Sequence, residues 1–201
     1  FEHGDAAGGT RLVGYNTDVA GIVNALRYAG AAAEPSAVVL GGGGTAAAAI
    51  AALKELGAPS AAVYVRDVGR AVEARAAADA VGLPLEVLPL NAAAPAMAAA
   101  DAVISTLPPR AADGLAEELA AELARNGAHA SGVLLDVAYD PWPSRLAAAW
   151  TDAGRRVVPG LEMLLYQAVE QVRHFTGLEG AVPAEVIDVM CDAVGASRRV
   201  F

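Results

Sequence analysis

The sequence predicts an α/β fold, a doubly wound parallel sheet with helices on both faces. Three observations predict it. Short β-branched or apolar runs alternate with Ala-rich helical stretches, a glycine run from Gly41 to Gly44 directly follows one of the strand runs inside that alternation, and 55% of the 201 residues are hydrophobic, enough for a sizeable core. Strands separated by helices cannot pair through tight hairpins, so right-handed crossovers should lay them parallel.

Taken in order, residues 2–10 read as a surface loop. From Asn16 to Ala29, apolar Val19, Ile22, Val23, Leu26 and Ala29 recur at helical spacing, with Asn16, Thr17 or Asp18 available as the N-cap. Strand runs follow at 37–40, 61–65, 85–88, 102–105, 133–137 and 156–158, separated by helical patterns that begin near Thr45, Val68, Ala92, Ala112 and Ser144. After Gly160 the pattern becomes a long amphipathic helix over 161–176, then a second helix from Pro183, suited to the first helical position, to about Val194. The alanine runs are helix formers rather than linkers.

A formal net charge of −9 argues against a nucleic-acid or anionic-membrane surface and for small-molecule partners. The single cysteine, Cys191, sits in an apolar helical pattern and reads as a buried thiol. His3, His129 and His174 share no metal-ligand spacing, so no metal is expected. No apolar stretch reads as a membrane span and no secretory signal is recognisable, which points to the cytoplasm. A homodimer is compatible with all of this. Residue 1 is Phe and the opening segment does not read as the start of a domain, so the chain is expected to be a fragment.

The run Ala37-Val38-Val39-Leu40-Gly41-Gly42-Gly43-Gly44 reads as the strand and phosphate-binding turn of a Rossmann-type dinucleotide site. A pyrophosphate needs a tight strand-to-helix turn, close backbone approach and a helix N-terminus facing the anion. Gly41, Gly42, Gly43 and Gly44 supply the first two, and Thr45 with the alanines after it lets the helix pack closely on the sheet. At the end of the second sheet strand the sequence reads Tyr64-Val65-Arg66-Asp67-Val68-Gly69-Arg70. Arg66 and Arg70 could clamp the extra phosphate of NADP, and Asp67 would repel it unless turned away or paired with an arginine. The alternative is that all three are solvated loop charges. NADP is the cofactor this segment favours.

Three further segments, with the turn, resemble the shikimate dehydrogenase family. Gly14-Tyr15-Asn16-Thr17-Asp18, continued by Gly21, is similar to that family's GxNTD motif. Asp136-Val137-Ala138-Tyr139-Asp140-Pro141, followed by Ser144 and Leu146, resembles its D-x-x-Y-x-P segment, and Gly160 to Ala168, closing with Phe175-Thr176-Gly177, resembles its G-x-x-M-L-x-x-Q-A helix start and aromatic-Thr-Gly ending. Together the motifs span nearly the whole chain in family order.

The resemblance implies NADP-dependent reduction of 3-dehydroshikimate to shikimate, in the pathway to chorismate and the aromatic amino acids. Asp18 would match the catalytic aspartate that holds a substrate hydroxyl and works with a lysine at the reacting oxygen. Gln167 and Tyr139 would bind substrate, Gly160 and Met163 would flank the nicotinamide, and Thr106 lies in a loop that contacts the cofactor. Each has a plainer role open to it: Asp18 as a helix cap, Gln167 as an exposed amide, Tyr139 as a loop-packing ring and Met163 as core. Where the family carries Asn-Arg-Thr, this sequence reads Val65-Arg66-Asp67, keeping the arginine. The family's substrate domain, with its catalytic lysine, precedes the GxNTD motif. Residues 1–18 are therefore expected to be the remnant of the end of that N-terminal domain, and 19–201 the dinucleotide-binding domain with linking helices at about 17–30 and 183–194. The sole lysine, Lys54, falls in the helix after the glycine turn and reads as part of a solvated helical face. A quinate-type polyol dehydrogenase and a non-catalytic dinucleotide-binding module are the alternative functions.

Overall fold

The computed structural model describes residues 2–3, 12–126 and 132–198. A short antiparallel ribbon pairs β1 (Glu2–His3) with β2 (Leu12–Val13). Residues 2 and 3 thus stand in a strand rather than in the loop expected of the opening segment. Two residues are too few to show a periodic pattern, and what joins them to β2 is main-chain pairing, which any side chains permit. Residues 4–10 lie outside the described residues.

After α1 (Thr17–Tyr28) the chain alternates strictly: β3 (Ala37–Leu40), α2 (Gly44–Glu55), β4 (Ala61–Val65), α3 (Val72–Val81), β5 (Leu85–Pro89), α4 (Ala93–Ala99), β6 (Ala102–Ser105), α5 (Asp113–Asn126), β7 (Val133–Asp136), α6 (Arg145–Asp152) and β8 (Arg156–Pro159). The six strands from β3 onward form one parallel sheet in the order β5-β4-β3-β6-β7-β8. Winding runs outward from β3 to β5, then crosses to β6 and outward again. The order therefore reverses between β3 and β6, the place where such sheets bind ligands beyond their carboxyl ends.

Both faces of the sheet are covered, which is why its strands read as continuous apolar runs. On one face Val39, Val63, Ile104 and Leu135 pack under α1, α2 and α3. On the other, Val38, Leu40, Val103 and Leu134 pack under α4, α5 and α6, around Met97, Leu119 and Trp150. Helix α7 (Gly160–Thr176) follows β8 without a loop and crosses α1, and α8 (Ala184–Val194) packs on α7 through Ile187 and the buried Cys191. Pro183 stands one position earlier than expected, as the N-cap of α8, where its missing N–H costs as little as at the first helical position.

The register positions the site. Leu40 pairs with Tyr64 and with Ser105, Ser105 with Asp136, and Asp136 with Pro159. These strand ends lie in one row. Gly41, Thr106 and Val137, each next in sequence, consequently open loops along a single edge, where Gly160 opens α7.

Candidate functional site

Along that edge lies a cleft of about 700 Å³ whose floor is the glycine turn. Gly41 has φ +106, a conformation side chains rarely adopt, and its N–H donates to the Tyr64 carbonyl at 2.9 Å. A Cβ on Gly41 would run into the Thr106 hydroxyl, and one on Gly42 would stand 2.9 Å from Val65 Cγ1. Gly43 differs: its backbone is extended and a Cβ there would meet nothing, so that side of the turn is open to the cleft. Gly43 also caps α2 without a side-chain hydrogen bond, and the helix's first turn carries no acidic residue. The turn thus combines close backbone access with uncapped N–H groups and the positive end of the helix dipole, which fits a pyrophosphate.

One wall is the β4–α3 loop. Arg66 and Arg70 both line the cleft, with Asp67 between them. Asp67 Oδ1 accepts from the Gly69 N–H at 2.9 Å and caps the single turn of 3₁₀ helix at Val68–Arg70. Among the described residues no ion pair joins it to either arginine. The acidic side chain is tied to its own loop, which leaves both guanidinium groups available for an anion.

Residues 106–108 continue the cleft across the sheet, since they line both it and a second hollow of about 470 Å³ that also contains Val137, Ala138 and the exposed ring of Tyr139. Past β8, a Cβ on Gly160 would collide with the Val137 carbonyl, so only glycine lets α7 start there. Gly21 plays the same part where α1 crosses α7: its Cβ position lies 2.8 Å from the Met163 carbonyl and 3.3 Å from Gln167 Cβ. Nearby, Gln171 Nε2 donates to Thr17 Oγ1 at 3.3 Å. Asp18 sits on the first turn of α1, one turn before Gly21. The helix cap is Asn16, whose Oδ1 accepts from the Asp18 N–H at 3.0 Å, so the Asp18 carboxylate is not spent on capping.

The expected site residues therefore fall into three groups. Gly41, Gly42, Gly43, Arg66, Arg70 and Thr106 line the larger cleft, and Tyr139 with Thr106 lines the smaller one. Met163 and Gln167 meet Gly21 at the α1–α7 crossing, and Asp18 stands one turn earlier on α1. Gly44 and Thr45 line neither hollow and form the first turn of α2 behind the glycines. Lys54 is remote in role: its Nζ donates to the Gly82 carbonyl at 3.1 Å and caps the end of α3. His174 stacks on Tyr15 with ring centroids 4.0 Å apart, while His129 and the His3 side chain lie outside the described residues. Among the described residues no group of His, Cys, Asp and Glu could hold a metal ion, and no helix is long and apolar enough to cross a membrane.

Sequence reasoning assigned no role to Asp136 beyond its place in a motif. Its carboxylate is only 2% exposed at the end of β7, accepting from Ser144 Oγ at 2.6 Å and from the Ala138 N–H at 3.3 Å. Burial pushes its pKa above the ordinary carboxylate value, and the hydrogen bonds from Ser144 and Ala138 pull partly the other way. The available signal was a charged residue closing an otherwise apolar strand.

Comparison with known proteins agrees with this architecture. The family model described as the Shikimate 5'-dehydrogenase C-terminal domain matches residues 160–184, which begin with α7. A shikimate dehydrogenase (NADP(+)) of Rubrobacter xylanophilus is 38% identical over 179 residues, 86% of this chain and 60% of the relative. The crystal structure of Mycobacterium tuberculosis shikimate dehydrogenase superposes with a TM-score of 0.72 at 42% identity, covering 89% of this chain and 62% of that one. Shikimate 5-dehydrogenase of Thermus thermophilus, solved with NADP(H) and shikimate, gives 0.66 at 29% identity, over 91% and 64%. The chain thus spans about three-fifths of the length of the relatives it matches.

Proposed function

Because the chain belongs to the shikimate dehydrogenase family and spans 60% of a curated relative, we propose that it is the NADP-binding part of an enzyme that reduces 3-dehydroshikimate to shikimate. The observation that carries this reading is the meeting, in one cleft at the point where strand order reverses, of an open glycine turn with two arginines that have no ion-pair partner among the described residues.

Bound NADPH would supply the hydride. The protein groups bind and orient. Backbone N–H groups at Gly43 and Gly44 offset the pyrophosphate charge, Arg66 and Arg70 flank the extra phosphate, and Thr106 closes the opposite side. Gly160 and Met163 form the end at which the nicotinamide is held, while Asp18, Gln167 and Tyr139 bind substrate. Reduction of a ketone also needs a proton at the oxygen, delivered within hydrogen-bond reach. Lys54 is engaged at the far end of α2 and cannot deliver it. We assign that proton to a lysine of an upstream substrate domain, with residues 1–18 as the end of that domain and 19–201 as the cofactor domain; Asp18, at the start of α1, would orient it.

Two measurements test the reading. The chain should bind NADP in preference to NAD, and Arg66→Ala should erase that preference. Joined to an upstream substrate domain, it should reduce NADP in the presence of shikimate. A preference for NAD would overturn the arginine clamp, and turnover with quinate but not shikimate would move the enzyme to the quinate-type alternative.

A further inference from the structure

The two loops that bound the smaller hollow, 106–110 and 137–144, share one buried anchor. Ser105 and Asp136 are paired neighbours at the ends of β6 and β7, and both are 2% exposed. The Asp136 carboxylate accepts at Oδ1 from Ala138, the second residue of the later loop, and at Oδ2 from Ser144, its last. Beside it, the Val137 N–H donates to the Ser105 carbonyl at 3.0 Å, tying the start of the later loop to the residue before the earlier one. Ser144 Oγ in turn accepts the Ala147 N–H at 3.0 Å, so the same cluster caps α6. Asp136 does not itself line the hollow that contains Tyr139. A carboxylate so deeply buried is costly to retain in a strand where an apolar residue would pack, and both of its hydrogen bonds lead to the ends of the later loop.

We infer that Asp136 is a positioning residue: it staples the two ends of the 137–144 loop together from below, beside the 106–110 loop, and so fixes the shape of the hollow that Tyr139 and Thr106 line. The inference rests on the proposed function only in taking that hollow to be the substrate and nicotinamide end of the site. Ser144 is the arm that closes the longer loop, and the Ser105 carbonyl, which accepts the Val137 N–H, joins its start to the shorter one.

The test uses Asp136→Asn, Ser144→Ala and Ser144→Thr in the enzyme carrying its substrate domain. Hydrogen exchange should accelerate about tenfold or more in 137–144 for the first two variants and stay unchanged in 41–44, and Ser144→Thr, which keeps the hydroxyl, should restore the wild-type rate. In kinetics the KM for shikimate should rise about tenfold while the Kd for NADP stays within about twofold, the split expected when one end of the site loosens. Wild-type exchange in 137–144 for Ser144→Ala, or equal weakening of NADP and shikimate binding, would overturn the inference. If Asp136→Asn does not fold, the two Ser144 variants decide alone. Absence of shikimate turnover in the unmodified enzyme would instead overturn the proposed function, and the exchange rates would still decide whether the staple exists.

Discussion

Thr106 donates twice to the Leu40 carbonyl, through its N–H at 2.8 Å and through its hydroxyl at 2.8 Å. The end of β6 is thereby locked onto the end of β3, and the hydroxyl is held where a side chain at Gly41 would have to go. The glycine turn and the Thr106 loop are one rigid unit. Neither can adjust without breaking a hydrogen bond to the same carbonyl.

Gly41 and Gly43 should accordingly respond differently to alanine. Gly41→Ala meets both an unfavourable φ of +106 and the fixed Thr106 oxygen, and should cost about 1–3 kcal/mol of stability. Gly43→Ala meets open space on extended backbone and should leave stability within about 0.5 kcal/mol. Any loss of NADP affinity in Gly43→Ala then reports on direct approach of the ligand. Urea unfolding and NADP titration of both variants check this, and a Gly43→Ala protein as unstable as Gly41→Ala would show that the open side of the turn is not open.

The contrast between those glycines marks what could be read from the sequence. A run of four glycines after an apolar strand is legible because few other residues accept the required turn. The β3, β4 and β6 boundaries were legible for a similar reason, since each is a short apolar run closed by a change in residue type. Which glycine is constrained by φ and which by contact was not legible, because Thr106 lies 65 positions after Gly41 and meets it only through sheet register. Asp67 raised the same difficulty. Its sequence neighbours offered two arginines and a backbone N–H, and only the folded loop selects Gly69. Asn16, Thr17 and Asp18 were equally plausible caps until the structure selected Asn16. The Asp136 cluster needs Ser105, Ser144 and two parallel strands brought together, and no local pattern encodes that.

Asp67 leads to a prediction about cofactor choice. Its Oδ1 caps the turn that carries Arg70, while its charge stands beside the cleft where a phosphate would bind. Asp67→Asn keeps an acceptor for the Gly69 N–H and removes the charge. A repulsion of about 1 kcal/mol, the value for unit charges about 4 Å apart in water, corresponds to roughly fivefold in affinity. NADP should bind up to about fivefold more tightly in Asp67→Asn, with NAD affected less, and the gain should shrink as salt is raised. Arg66→Ala should move NADP affinity the opposite way. Titrations at low and high ionic strength test both, and an equal gain in NAD affinity in Asp67→Asn would count against the phosphate being near.

Asp18 separates chemistry from folding. Because Asn16 supplies the cap, Asp18→Ala should cost only the favourable interaction of one acidic side chain with the start of α1, about 0.3–1 kcal/mol. If its carboxylate orients a proton donor, turnover in the enzyme with its substrate domain should fall by about 10²–10⁴ while the Kd for NADP hardly changes. Asn16→Ala is the control, expected to cost about 1 kcal/mol through the lost cap. Steady-state rates beside unfolding midpoints resolve the two, and retained turnover in Asp18→Ala would remove it from the site.

The buried Asp136 carboxyl makes stability depend on pH in a direction opposite to that of a salt-bridged acid. Its pKa is raised in the folded protein, chiefly by burial, above the ordinary value of 3.8. Between that value and the raised one, the folded chain holds a proton that the unfolded chain has released. Unfolding free energy from this group therefore falls as pH rises through that window and is flat above it. Asp136→Asn removes the titration, so the difference between wild type and variant isolates it from every other carboxylate. Denaturant unfolding of both proteins between about pH 4 and 8 should show wild type gaining relative stability toward the acid end and a constant difference at the neutral end. A difference that grows with pH would mean that the hydrogen bonds from Ser144 and Ala138 outweigh burial, leaving Asp136 most stable as a fully ionised acceptor.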